Sequence, residues 1–500
     1  MDERRYKIIR NGRMLDIKRH RADPADLLIE GDVIREIGPP GMTAPPDAEV
    51  VDANLKVLMP GLINAHMHGH GALAKGMLED TWNLEVFLNS APAIGGNRTL
   101  DDKYLCGLLN AVEMVRKGST ACYDLFFEFP VPTPDGFAAL GRGYADVGVR
   151  ATIAPMIADR NLYEALPGLM ESIPDEFREG VDRFRLAEPE ATIAACDELF
   201  RTWPFDRDQI RPAIAPTIPL HCSDGFLCNC SDLARKYDLP LQTHLAESKS
   251  QAVLGLGKYG RTLTAHLDQL GLIGPHFTAA HAIWVDDEDL GRVADRGGVV
   301  VHNPMSNMRF GSGLARLRPM LDKGIGLAIG TDGVNSSDSL NMFEATRLAS
   351  FISRIQDPDT ETWLRCEEVL EMSTAGSARA LGFGDRIGRL APGAKADIVF
   401  LDMRHIHYVP LGDIVTQIVF TESGAAVNSV MIGGRMILDD GRLTTMDEEK
   451  LRIKVETAVE RLRNVNAERR GFTAKLEEFV GAFCIGLCRS PYHVHRYASP

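Results

Sequence analysis

This sequence of 500 residues has no long hydrophobic run and little positive charge. No stretch of about 18 uninterrupted apolar residues occurs, so we expect no transmembrane helix. The charged N-terminal segment MDERRYKIIRNGR lacks the apolar core of a signal peptide, and we expect a cytoplasmic protein. Lys and Arg number 55 against 69 Asp and Glu, a formal net charge of -14. Because nucleic acids and anionic membranes bind through basic surfaces, the sequence predicts neither partner and favours a neutral or cationic small ligand.

Cysteines are few and irregularly placed. The nine cysteines form an odd set that extends from Cys106 to Cys488, so we expect no disulfide framework and a reducing compartment. Near the C-terminus, Cys484 and Cys488 precede His493 and His495, but this spacing is not that of a structural zinc site. We expect this tail to pack against its own or a partner subunit instead.

Between residues 58 and 392, short apolar runs alternate with longer helical patterns. Eight runs are apolar on both faces, as in parallel strands that helices cover on both sides. They occupy 58–68, 118–124, 149–156, 210–216, 239–247, 277–283, 297–304 and 324–333. Eight β-then-α units predict an α/β fold, a (β/α)₈ TIM-like barrel, whose chemistry gathers at the C-terminal ends of its strands.

The two ends of the chain have a different pattern, with short alternating strands and tight turns. Neither end has enough strands to cover a hydrophobic face, so we expect the two to complete each other as one small β-sandwich. The predicted units are 1–57 and 393–446 for the two parts of the sandwich, 58–392 for the barrel and 447–500 for a helical tail. Leu451, Val455, Val459 and Leu462 predict an amphipathic helix in that tail.

Histidines and carboxylates end four of the eight runs. His66 and His68 lie at i and i+2 of the first run, so a strand presents both imidazoles on one face, where they can bind one metal ion. The other three runs end in His244 with Glu247, in His281 and in Asp332. Each residue alone has an ordinary structural interpretation, but one barrel mouth would bring all of them together. We interpret the set as one metal site with an acid-base group beside it.

With these residues in place, the sequence resembles the amidohydrolase superfamily, in particular its branch of cytosine, guanine and adenosine-type deaminases and s-triazine hydrolases. The resemblance is carried by Pro60-Gly61-Leu62-Ile63 before His66-x-His68, by His244-Leu-Ala-Glu247, His281, 302–307, Thr331-Asp332-Gly333 and 388–399. It covers nearly the whole chain and is weakest beyond about residue 470.

The resemblance implies a role for each of these residues. The ligands of one divalent metal, Zn²⁺ or alternatively Fe²⁺, would be His66, His68, His244 and Asp332. The metal would activate a water, whose proton Asp332 and His281 would take and position. Glu247 would deliver protons to a ring nitrogen and to the leaving group. The resemblance also implies a homo-oligomer, a dimer or higher.

Two departures from relatives narrow this expectation. The fourth run, 210–217, has no lysine that could carry a bridging carboxylate, so the resemblance implies one metal and not two. Thioadenosine and adenosylhomocysteine deaminases show a histidine shortly after the proline of this strand, where this chain has Thr217, with His221 displaced by several residues. The second departure lowers the expectation of a nucleoside substrate.

Candidate substrate contacts lie after the first strand and at the mouths of the last two. Trp82, Glu85 and Phe87 belong to the first loop, where aromatic rings would either stack on a planar heterocycle or pack the loop onto the barrel. Asn303 and Ser336 are candidate hydrogen-bond partners for a polar ring edge.

The leading hypothesis is a metal-dependent hydrolytic deaminase that removes the exocyclic amine of an aminopurine, aminopyrimidine or aminotriazine. As an alternative, the same machinery would expel an alkylamine or chloride from a triazine-like ring, or hydrolyse a urea or carbamate. A third hypothesis is a barrel that has lost catalysis and serves in assembly, but the intact ligand set argues against it. Mouth loops determine the substrate, and their conformation does not follow from the sequence pattern.

Overall fold

The computed structural model describes residues 6–497, so the first five and last three residues of the predicted terminal units lie outside the described residues. The strands are β1 Tyr6–Asp16, β2 Arg21–Glu30, β3 Val33–Gly38, β4 Glu49–Asp52, β5 Lys56–Pro60, β6 Leu62–Met67, β7 Ser119–Phe126, β8 Arg150–Ile157, β9 Ile210–Pro212, β10 Ala215–Pro216, β11 Leu241–Leu245, β12 Phe277–His281, β13 Val299–His302, β14 Gly326–Ile329, β15 Ile398–Asp402, β16 Val427–Ile432, β17 Arg435–Asp439 and β18 Arg442–Leu443.

The helices fill the connections and form the tail. They are α1 Leu84–Gly95, α2 Leu100–Arg116, α3 Pro134–Val147, α4 Leu162–Ala165, α5 Leu169–Ser172, α6 Asp175–Val181, α7 Pro189–Arg201, α8 Asp224–Tyr237, α9 Lys249–Tyr259, α10 Leu263–Gln269, α11 Asp287–Arg296, α12 Pro304–Arg309, α13 Leu317–Asp322, α14 Val334–Ser337, α15 Met342–Gln356, α16 Cys366–Glu371, α17 Ser377–Ala380, α18 Ile414–Phe420, α19 Glu448–Val465, α20 Ala467–Ala474 and α21 Glu477–Cys488. None of the described helices is both long and apolar enough to cross a bilayer.

Two parallel half-sheets close into a barrel. One half has the order β10-β8-β7-β6 with β9 beside β8, and the other has the order β11-β12-β13-β14. A bridge between Ile214 and Leu241 joins them at one seam. At the other seam the backbone N–H of Asp332 donates to the carbonyl of His66 at 2.9 Å. Every predicted apolar run supplies a strand, although the fourth is split into β9 and β10, and the predicted barrel is confirmed.

The two ends of the chain build one further sheet with the order β18-β17-β16-β15-β5-β1-β2-β3, in which β4 pairs with β1. Its central pairing joins the two ends, because β15 runs antiparallel to β5 with Ile398 opposite Pro60. Ile9, Leu27 and Phe400 share its buried core. The two end segments therefore complete each other, as their short strands predicted.

The tail packs against the barrel instead of extending from it. The predicted amphipathic helix is α19, which contacts α2, while α20 contacts α1, and α21 contacts both α1 and α9. Leu476, Val480 and Cys484 of the tail are buried in one cluster with Val86 of α1. All nine cysteines lie in the described residues and are free thiols. In particular, Cys484 is buried and Cys488 half-buried.

Candidate metal and active site

Strand ends bring six side chains together at the mouth of the barrel. They are His66 on β6 and His68 just after it, His244 on β11 with Glu247 just beyond it, His281 at the end of β12 and Asp332 after β14. In three groups of three, one donor atom from each residue lies within 4.8 Å of the others. Among residues 6–497, every group of His, Cys, Asp or Glu donors close enough to share an ion belongs to this cluster. The sequence therefore predicted which side chains meet here.

The protein fixes one nitrogen of each imidazole. The Nδ1 atoms of His66, His68, His244 and His281 lie 2.5 Å from Gln242 Oε1, 2.9 Å from the Leu125 carbonyl, 2.6 Å from the Thr217 carbonyl and 2.8 Å from Asn307 Oδ1. Because these oxygens can only accept, each Nδ1 carries the hydrogen and donates it. Each Nε2 is thereby left with a free lone pair, which is the arrangement that orients a metal-binding histidine.

The Nε2 atoms converge with one carboxylate. His68 Nε2 lies 3.1 Å from His244 Nε2, a contact between two lone pairs that a cation between them would stabilise. Asp332 Oδ1 lies 3.2 Å from His68 Nε2 and 3.5 Å from His66 Nε2. Within the described chain, the buried Nε2 atoms of His66 and His281 have no hydrogen-bond partner. Buried polar atoms are rarely left without a partner, so this nitrogen and oxygen donor set fits a divalent cation.

Burial separates the protonation states of the cluster. Burial and the neighbouring charge of Asp332 raise the pKa of Glu247 well above its ordinary value, which favours the protonated form of its carboxyl group. Burial lowers the pKa of His281 to about 4. Burial and the neighbouring imidazoles lower the pKa of His244 well below its ordinary value. Glu247 Oε2 lies 3.7 Å from His281 Nε2. These shifts favour a neutral carboxylic acid at Glu247 beside neutral imidazoles at His244 and His281, which suits an acid in catalysis.

The backbone at these strand ends is strained. Positive φ angles occur at Ala246 (46°), His281 (69°), Ala282 (46°) and Asp332 (64°). Non-glycine residues rarely adopt this region, and each such residue costs on the order of 1–3 kcal/mol unless its surroundings hold it. The backbone at Gly330 also passes close to that of His66, since a Cβ at Gly330 would lie 2.7 Å from the His66 carbonyl. Strained backbone at the strand ends therefore positions the side chains of the cluster.

The two aromatic residues predicted to contact substrate, Trp82 and Phe87, pack against neighbouring parts of the chain. Trp82 Nε1 donates to Glu477 of α21 at 3.2 Å. The ring of Phe87 stacks on that of Phe310 with 5.3 Å between centroids. Neither side chain lines the cavity described below. These contacts are those of loop packing, and a role of the two rings in stacking on substrate stays a prediction.

The three polar candidates, Glu85, Asn303 and Ser336, are buried. Glu85 is buried and accepts a hydrogen bond from Ser248 Oγ at 2.5 Å. Ser336 Oγ donates to the Gly333 carbonyl at 2.9 Å. Asn303 is fully buried, and its side-chain amide has no hydrogen-bond partner among the residues described. None of the three borders the cavity, so their substrate roles stay predictions.

A cavity of about 310 Å³ adjoins the histidine cluster. His70 and Thr217 line it, and both lie beside the cluster: the His70 ring is 5.4 Å from that of His68, and the Thr217 carbonyl binds His244. His221 lines it too. The displaced histidine of the sequence therefore stands on the wall of the same cavity.

The wall of this cavity is basic, in contrast to the acidic chain as a whole. Its cationic lining residues are Arg98, Lys103, Arg160, Arg183 and Arg469. The one acidic lining residue, Glu128, is paired with Lys103. In the described part of the chain, no ion pair joins Arg98, Arg160 or Arg469 to a carboxylate. The negative net charge of the sequence had favoured a neutral or cationic ligand. A net charge is a sum over the whole chain, so it does not reveal a local cluster of basic side chains from separate loops.

Comparison with known proteins agrees with this geometry. Residues 57–437 match the amidohydrolase family. A 5-methylthioadenosine/S-adenosylhomocysteine deaminase of Syntrophobacter fumaroxidans is 32% identical over 444 residues, which cover 88% of this chain and 94% of the relative.

Two solved structures have the same fold. An adenosine deaminase of Xanthomonas campestris with bound zinc has a TM-score of 0.80 at 27% identity, covering 91% of this chain and 98% of that one. An atrazine chlorohydrolase of Arthrobacter aurescens in complex with zinc has a TM-score of 0.80 at 24% identity, with 90% and 99% covered. The chain belongs to the amidohydrolase family, and the predicted superfamily branch and hydrolase class are confirmed.

Proposed function

We propose that this amidohydrolase is a zinc-dependent deaminase of an adenine nucleoside whose substituent carries a negative charge. The observation that carries the reaction is the placement of Glu247, a buried carboxyl group 3.7 Å from His281 and beside Asp332, where burial raises its pKa and favours the protonated form. A neutral carboxylic acid can protonate a ring nitrogen, which makes the adjacent carbon susceptible to attack by water. Deamination of a six-membered aminoheterocycle requires this step.

The described side chains divide the proton transfers among them. A divalent cation, when bound among the His and Asp donors, would lower the pKa of a water toward neutrality. Asp332 would accept a proton from the attacking water, and the Nε2 of His281, whose ring Asn307 orients, would accept a hydrogen bond from it. Glu247 would give its proton to the ring nitrogen as the water oxygen bonds to the adjacent carbon. It would then take up the proton held by Asp332 and give it to the amine, the C–N bond breaks, and ammonia leaves. The remaining proton of the attacking hydroxyl group would return to Glu247 through Asp332, which leaves the oxo-heterocycle as the second product.

The nucleoside class is supported by the relatives and by the cavity. The curated relative named above is a deaminase of thioadenosine and adenosylhomocysteine, and the related zinc-bound structure is an adenosine deaminase. Thr217 had argued against a nucleoside, but His221 stands on the same cavity wall and offers an imidazole nearby. The absence of a histidine at Thr217 is therefore weak evidence against a nucleoside substrate.

The arginines of the cavity support the negative substituent. Arg98, Arg160 and Arg469 have no carboxylate partner among the residues described, so an anionic group would gain ion pairs without breaking existing ones. A carboxylate such as that of S-adenosylhomocysteine fits this chemistry, whereas the methyl group of methylthioadenosine would leave the arginines unpaired.

The test is an ammonia-release assay on zinc-loaded protein with matched substrates. We expect ammonia from S-adenosylhomocysteine with a kcat/KM at least about tenfold above that for methylthioadenosine. Aminotriazines and chlorotriazines are included, with release of amine and chloride measured in parallel. Chloride or alkylamine as the main product would contradict the deaminase proposal, and a preference for methylthioadenosine would contradict the anionic substituent.

Three further parts of the proposal stay predictions. They are zinc in place of iron, a cytoplasmic location and a homo-oligomeric assembly. Metal analysis of the purified protein addresses the first, and light scattering of the full chain addresses the last.

A further inference from the structure

Glu85 is a buried carboxyl group that the mechanism above does not use. It lies in the first turn of α1 and is only 3% exposed. Its Oε1 accepts a hydrogen bond from Ser248 Oγ at 2.5 Å, and its carboxyl also interacts with Ser250. A buried carboxyl is costly unless it is hydrogen bonded, so this helix is held to the segment that carries the two serines.

That segment begins at the proposed catalytic acid. Ser248 is the next residue after Glu247, and its Oγ also accepts from the backbone N–H of Gln251 at 3.2 Å. Gln251 Oε1 in turn accepts from the backbone N–H of Glu247 at 3.0 Å. Ser248, Gln251 and Glu247 thus form a closed set of hydrogen bonds. A displacement of Ser248 therefore displaces Glu247.

The tail covers this junction from the outside. Ser250 Oγ donates to the Cys484 carbonyl of α21 at 3.4 Å and lies 3.4 Å from Cys488 Sγ. Asn89, one turn beyond Glu85, donates to the Thr473 carbonyl at 3.0 Å. These contacts keep α1 and α9 against the tail, so the Glu85 to Ser248 hydrogen bond is closed off from water.

We propose that Glu85 is a positioning residue, which holds the carboxyl group of Glu247 at the ring nitrogen of the substrate through Ser248. The inference rests on the proposed function, because it needs Glu247 to be the acid. It also replaces the predicted role of Glu85 in substrate contact. Small displacements of a catalytic group can cost about a hundredfold in rate, although binding is hardly changed.

The test compares three substitutions of one side chain on zinc-loaded enzyme. Glu85→Ala removes the acceptor, and we expect kcat to fall about tenfold to a hundredfold with KM within about twofold of wild type. Glu85→Gln keeps an acceptor oxygen for Ser248 and is expected to restore kcat to within about threefold. Glu85→Asp shortens the side chain by one methylene and is expected to lie between them, which keeps the test valid if the alanine variant fails to fold.

Ser90 provides the matched control. It is buried on the same helix, and its hydroxyl has no hydrogen-bond partner among residues 6–497. Ser90→Ala should leave kcat and KM unchanged. Equal losses in Glu85→Gln and Glu85→Ala, or a loss confined to KM, would overturn the positioning role.

A second measurement places the effect on Glu247. In a Glu247→Gln background, the further change Glu85→Ala should have no additional effect on the residual rate, because the group that it positions is already gone. Independent, multiplicative losses would overturn the proposal. Failure of the wild type to release ammonia would instead refute the proposed function, so the two failures are distinguishable.

Discussion

The two ends of the barrel bury charged groups in opposite ways. At the N-terminal end of β8, Arg150 bonds to Asp397 of the terminal sheet at 2.8 and 3.1 Å and to the Asp208 carbonyl at 2.6 Å. The backbone N–H of Gly433 donates to the same aspartate at 2.7 Å. Arg150 and Asp397 are thus paired with each other and further hydrogen bonded. At the C-terminal end, buried imidazole nitrogens of His66 and His281 have none within the described residues.

The difference separates stability from function. A fully paired buried charge joins two parts of a fold, whereas a buried donor set without partners is kept for something that binds there. The same barrel therefore uses its N-terminal face to attach the terminal sheet and its C-terminal face to hold the reaction site. Substitutions at the two ends should fail in different ways.

Removal of the metal should have the largest effect on activity. It should act through the site at the C-terminal end of the barrel strands and leave the Arg150–Asp397 pair at the other end intact. Dialysis against a chelator should abolish ammonia release and lower the melting temperature, since an ion at a thousand times its Kd stabilises by about 4 kcal/mol. Added zinc should restore both. An Asp397→Ala enzyme should respond to the chelator as the wild type does. Full activity of metal-free protein would contradict the site.

Glu247→Gln should have the second largest effect. We expect kcat to fall by about a hundredfold to ten-thousandfold, the range of general acid-base catalysis. The isosteric amide removes the transferable proton but leaves the four proposed ligands intact, so bound zinc should be unchanged. Turnover and zinc content are measured on the same sample. A variant with wild-type turnover would refute the assigned role.

Asp397→Ala should show the opposite pattern. It leaves Arg150 buried without its carboxylate, and loss of one partner from a buried pair typically costs about 3–5 kcal/mol. Urea unfolding should show this loss, while turnover per folded molecule stays near wild type. Asp402→Ala, at the far end of β15, which begins just after Asp397, is the control, because its partner Arg404 is exposed and such pairs contribute about 1 kcal/mol or less. A purely catalytic defect in Asp397→Ala would break the comparison.

Arg469→Ala should have the smallest effect. Arg469 is exposed and lines the cavity, so its loss should raise KM for S-adenosylhomocysteine by roughly tenfold, one charge-assisted contact, and leave methylthioadenosine unaffected. Arg470→Ala is the neighbouring control, since Arg470 is exposed and does not line the cavity. Identical kinetics of the two variants would exclude a role of the tail in substrate recognition.

The sequence was most informative where one strand places its residues without help from loops. His66 and His68 follow from the period of a strand, and His244, His281 and Asp332 follow from the rule that parallel strands end at one face. The eight apolar runs and the pairing of the two terminal segments were predictable for the same reason. Local periodicity and the need to cover a hydrophobic face determine both.

The contacts of the loop after β6 and the lining of the cavity did not follow from such reasoning. Trp82 and Phe87 have the composition of a stacking surface, and in the structure they contact Glu477 of the tail and Phe310. Arg98 and Arg469 meet at one cavity, although more than 300 residues separate them in the sequence and no spacing motif relates them. Their meeting depends on tertiary packing of the tail, which no local pattern encodes.

The most direct measurement is a zinc-edge anomalous scattering map of crystals of the full chain grown with zinc. We predict a single peak per chain, about 2.0–2.2 Å from the Nε2 atoms of His66, His68 and His244 and from a carboxylate oxygen of Asp332. Two peaks, no peak, or a peak that these side chains do not share would contradict the account.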